Sequence, residues 1–169
     1  MNKFAIFFLL MLTFNVSAQS LCKNDEYILL SGEIGKEDTK SNFIPNGKLI
    51  SICSDRKKEP FSKVVYRFGK RDGIELEQDA TNAKPFTISL DVDGFGRDRY
   101  QYSYKIEFNR GKYIYSINLT TGWMALSPGK ILVLESNKKI ADISFNTIDE
   151  NLESINFEKN KSQLFVIKK

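Results

Sequence analysis

The sequence predicts an all-β domain, an antiparallel barrel or sandwich of about eight strands built from hairpins, with one short helix near the C-terminus. Three observations carry that expectation. In residues 100–119, YQYSYKIEFNRGKYIYSINL, Tyr100, Tyr102, Tyr104, Ile106 and Phe108 alternate with polar residues. A period of two puts them on one face of a strand. Short apolar runs between turn signals recur along the rest of the chain. No internal repeat, low-complexity tract or linker divides it, so residues 19–169 read as one domain.

In chain order, residues 26–31 (EYILLS) form a first strand, and residues 32–47, broken by glycines and Pro45, read as a long loop. After the Asn46-Gly47 turn signal, residues 48–53 (KLISIC) form a second strand. Residues 63–68 put Val64, Tyr66 and Phe68 in phase, and residues 74–77 return after a glycine-bounded turn. Phe86, Ile88, Leu90 and Val92 share one face of the next strand. The central hairpin then turns at Asn109, Arg110 and Gly111, where glycine accepts a positive φ. Its return arm, Tyr113, Tyr115, Ile117 and Leu119, faces the first arm, so cross-strand aromatic pairs stabilise it. Residues 131–134 and 140–145 flank a turn at Ser136-Asn137-Lys138-Lys139. Thr147 and Glu150 have capping-box spacing before Leu152 and Ile155, which predicts the helix. Residues 164–167 form a last edge strand.

The N-terminus predicts export. Lys3 precedes an uncharged apolar run over residues 4–14, and Val16 and Ala18 suit the −3 and −1 positions of a cleavage site. This is a signal peptide over residues 1–18. A bilayer-spanning helix needs roughly twenty apolar residues, and no later segment approaches that length. The chain is expected to be periplasmic or secreted. In such a compartment the only two cysteines, Cys22 and Cys53, are expected to form a disulfide. The alternative, a reactive thiol, needs a neighbouring base or positive charge.

Three pieces of the chain resemble a family of small secreted bacterial proteins of uncharacterised function. They are residues 47–53 (GKLISIC), residues 65–69 (VYRFG) with 73–77 (GIELE), and residues 129–145 with Lys138-Lys139-Ile140-Ala141. The resemblance implies export and a β fold and carries no catalytic residue across. Similar proteins often carry another cysteine where this chain has Ser144, which implies pairing of Cys22 with Cys53.

Composition narrows the chemistry. The chain has no histidine, which removes Ser-His-Asp and Cys-His catalysis and histidine-bound metals. Its 25 basic residues against 21 acidic ones are scattered, without the basic stripe that nucleic-acid binding needs. Glu75, Glu77, Asp91, Asp93, Asp98 and Glu107 are candidates for a glycosidase carboxylate pair, although carboxylates on alternating strand positions usually face solvent. Asp91, Asp93 and Asp98, around Gly94, are the oxygen ligands a calcium ion would take, although a polar loop of ordinary turn residues is the preferred explanation. No other cofactor is implied. Trp123, Tyr66 and Arg67 are the expected binding residues, as aromatic and arginine side chains anchor interfaces. The leading expectation is an exported, non-enzymatic domain that binds another protein, such as an inhibitor or immunity protein against an envelope-targeting enzyme. The alternative is a carboxylate-dependent protein that binds or hydrolyses cell-wall glycan.

Overall fold

The computed structural model of the protein describes residues 20–40, 42–94, 100–122, 128–155 and 163–168. Ten strands form one sheet: β1 (Tyr27–Glu37), β2 (Phe43–Ser54), β3 (Val64–Lys70), β4 (Gly73–Ala80), β5 (Phe86–Gly94), β6 (Tyr100–Arg110), β7 (Tyr113–Gly122), β8 (Gly129–Glu135), β9 (Lys138–Glu150) and β10 (Phe165–Lys168). Their spatial order is β10-β5-β6-β7-β8-β9-β1-β2-β3-β4, and the sheet curls into a nearly closed barrel. Two antiparallel meanders, β1–β4 and β5–β9, are joined where β9 pairs with β1. That contact sets Leu30 beside Glu150 and Gly35 beside Ser144.

The central hairpin forms where its alternation placed it. Tyr104 pairs with Leu119, Ile106 with Ile117 and Phe108 with Tyr115, all toward the interior. Gly111 takes φ +60° in the turn, and the next hairpin turns on Ser136 and Asn137 at φ 49° and 64°. Left-handed residues match the right-handed twist of the flanking strands. Phe108 is the hub of the core: its ring lies 4.8 Å from Tyr66, 5.1 Å from Phe86 and 5.0 Å from Tyr115. Such centroid distances suit offset and tilted aromatic pairs. On the far wall the ring of Phe145 covers Gly129 and Gly32, leaving no room for a Cβ at either position.

Four expectations are corrected. Among the described residues the strands number ten rather than about eight. Residues 32–47 are mostly strand, since β1 runs to Glu37 and β2 starts at Phe43. The helix is only a 3-10 turn, Leu152–Ser154, because Thr147, Asp149 and Glu150 instead pair with Gly32, Ser31 and Leu30 of β1. A ladder of long-range hydrogen bonds outweighs the local capping signal. The last strand, β10, does sit at an edge, but it runs parallel to β5 and departs from an all-antiparallel sheet.

Cys22 and Cys53 form the expected disulfide, with Cα atoms 5.5 Å apart. It fastens residues 20–26 across the outside of β2 and β3. Leu21 donates its backbone N–H to Ser51 Oγ at 2.9 Å. Beneath this strap Arg67 is fully buried on the outer face of β3. Its guanidinium reaches Glu26 Oε1 at 3.0 Å, Glu77 Oε2 at 2.6 Å and the Leu21 carbonyl at 3.3 Å. No helix among the described residues is long and apolar enough to cross a membrane. The predicted signal peptide lies outside the described residues.

Candidate functional site

Strand alternation builds an apolar cleft of about 640 Å³ beside the β6–β7 turn. Tyr66 and Phe68 of β3 and Leu76 of β4 form one wall. Tyr115 of β7, Ile131 and Val133 of β8 and Ile143 of β9 form the other. The register explains the convergence, since Phe68 pairs with Leu76, Tyr115 with Val133 and Ile117 with Ile131. Every residue named on those two walls is therefore in the inward phase of its strand. Tyr66, Ile131 and Val133 are buried and make the floor. Phe68, Leu76, Tyr115 and Ile143 are half-buried and make the sides. A cleft of this size with apolar walls suits a small organic ligand, since such sites span roughly 300–1,000 Å³.

The rim is polar. Lys48 Nζ lies 2.8 Å from Glu75 Oε2 and 5.5 Å from the centre of the Phe68 ring. Lys112 Nζ lies 2.6 Å from Glu135 Oε1 and 5.3 Å from the Tyr113 ring. The hydrogen bond to Glu135 holds the Lys112 ammonium above its ordinary pKa. Arg110 closes the rim, with Nη1 3.5 Å from the Glu77 carbonyl oxygen. On the floor, burial and then the neighbouring Tyr115 push the Tyr66 phenol far above its ordinary pKa, so it stays a neutral hydroxyl.

The residues singled out in the sequence are scattered. Trp123 and Asp98 lie outside the described residues. Tyr66 reaches the cleft floor, but at 1% exposure it offers almost no outer surface. Arg67, its neighbour, points to the opposite face and is held beneath the strap by Glu26 and Glu77. Asp91 and Asp93 are exposed on β5, paired with Ser103 and Gln101, rather than gathered in a loop. Asp91 lines a polar cleft of about 610 Å³ on the outer face, where Lys105 and Lys168 pair with Glu107, and Lys130 reaches Ser144. Glu75 and Glu77 are likewise held by Lys48 and Arg67. Among the described residues, one set of three potential metal ligands comes together: Cys22, Glu26 and Cys53. There the disulfide and Arg67 already occupy the donor atoms.

The residue that sequence reasoning missed is Arg110. The sequence reads it as a turn residue, yet it continues the Ile106, Phe108 phase of β6, where a cation is out of keeping with the apolar series. Comparison with protein-family models, characterised proteins and solved structures found no match to this chain.

Proposed function

We propose that this is an exported, non-enzymatic binding protein that holds a small, largely apolar molecule in the cleft between β3–β4 and β7–β9. The observation that carries the reading is an open recess on the inward side of the sheet, lined by inward-phase apolar side chains. Phe68, Leu76, Tyr115 and Ile143 keep accessible apolar surface within one recess. Water against such surface costs free energy, at about 25 cal/mol per Å², and an apolar ligand recovers it. Near-closed barrels hold ligands at their mouths for the same reason. The disulfide is compatible with export to an oxidising compartment.

Capture of another protein is the second reading. It is favoured by β4, an edge strand that carries the exposed Ile74. An extended segment of a partner can add to such an edge. Native mass spectrometry of the protein recovered from its host separates the two. A bound mass below about 1 kDa, lost in a Leu76→Trp variant that fills the recess, supports the cleft reading. A bound protein that survives Leu76→Trp supports the second. A chain that recovers neither, and takes up no neutral apolar dye after purification, removes the cleft reading.

A further inference from the structure

Resting on the cleft reading, we infer that the ligand is an amphiphile with an apolar tail and an anionic head, a carboxylate or a phosphate monoester, bound by Arg110. The argument begins with register. Successive side chains on a strand alternate, so Arg110 shares the inward phase of Ile106 and Phe108. Because β6 ends at Arg110, the side chain stands at the lip of the cleft and is solvent-exposed.

Charge at the lip is unbalanced. Lys48 and Lys112 are matched by Glu75 and Glu135 at 2.8 and 2.6 Å. Arg110 has no ion-pair partner among the described residues, and its one hydrogen bond is the long one, 3.5 Å, to the Glu77 carbonyl. The rim therefore keeps one uncompensated positive charge, on a planar group with five donors. That fork matches a carboxylate or phosphate bidentately, which a lysine ammonium does not. An anion seated there leaves its chain over Tyr115, Val133 and Ile143. Tyr66 lines the floor and its hydroxyl remains protonated, so it adds no opposing charge.

The test uses the purified protein and the neutral dye N-phenyl-1-naphthylamine, displaced in turn by dodecanoate, dodecyl phosphate and dodecanol below their aggregation concentrations. Dodecanoate or dodecyl phosphate is expected to displace the dye about tenfold more tightly than dodecanol, as a charge-assisted pair requires. Arg110→Gln should abolish that preference and leave dodecanol unchanged, while Arg110→Lys should keep part of it. Which anion wins identifies the head as a carboxylate or a phosphate. Equal displacement by acid and alcohol, or a preference that survives Arg110→Gln, overturns the inference while leaving the cleft reading intact. Failure of the dye to bind overturns the cleft reading and the inference together.

Discussion

Tyr66 and Arg67 are consecutive residues of β3, and both are buried, on opposite faces of the sheet. The inner face at Tyr66 is where a barrel normally packs, yet next to it an apolar recess stays open. The outer face at Arg67 is where a barrel normally meets water, yet there a strap seals a charged side chain completely. At this point of the sheet a polar knot is sealed outside, while beside Tyr66 part of the otherwise buried inner face stays open. The contrast predicts that the outer knot is the costlier of the two to disturb.

The largest effect is expected at Arg67. Removing one member of a buried ion pair leaves the other charged and unpaired, which costs about 3–5 kcal/mol. In Arg67→Ala the carboxylate of Glu26, whose side chain is 3% exposed, loses its guanidinium partner. The exposed Lys63, 2.9 Å away, remains to it as a weaker partner. Urea denaturation should show the full drop in midpoint. A change below about 1 kcal/mol would mean that the strap moves to let water reach Glu26.

Next in size is an acid response from the same knot. Desolvation alone would raise the pKa of Glu26, but hydrogen bonds from Arg67, the Lys23 backbone and Lys63 outweigh it and bring the pKa from 4.5 to about 2. A depressed carboxyl pKa adds stability above the unfolded value and loses it as pH falls toward the folded one. The window is therefore pH 4.5 down to about 2. Between pH 5 and pH 3 the group should surrender ~2 kcal/mol, at about 1.4 kcal/mol per pH unit below the unfolded pKa. Comparing urea midpoints of the protein and Glu26→Gln at both values checks the sign, because the variant lacks this part of the slope.

Both faces were partly legible in the sequence, for different reasons. Alternation along residues 100–119 revealed the central hairpin because its signal is local: each side chain's facing is set by its neighbours. The disulfide was legible from the cysteine count and the predicted compartment. The strand content of residues 32–47 was hidden because Gly32 and Gly35 read as breakers. In the fold Gly32 is where the ring of Phe145 fits, a fact that belongs to residues far along the chain. The outer knot was hidden likewise, since Arg67 is buried by Glu26, 41 positions earlier. The cleft draws its walls from five strands, and no window of sequence contains it. Arg110 did leave a trace, as the only cation in the inward phase of β6.

The smallest effect should come from the open recess itself, and it tests the contrast from the inner side. Ile52, fully buried within the core, and Ile143, half-buried on the cleft wall, lose the same atoms on truncation to alanine. The cost of such a change combines lost transfer free energy with the cavity left behind, about 2–5 kcal/mol for a packed isoleucine. At Ile143 part of the side chain already faces the recess, so less burial is lost and no new void closes over. Ile143→Ala should therefore destabilise by about 1 kcal/mol, and Ile52→Ala by several times as much. Equal losses at the two positions, measured by urea midpoint, would mean that the recess is collapsed and packed in solution. The inner face would then be an ordinary core, and the outer knot a redundant reinforcement of it.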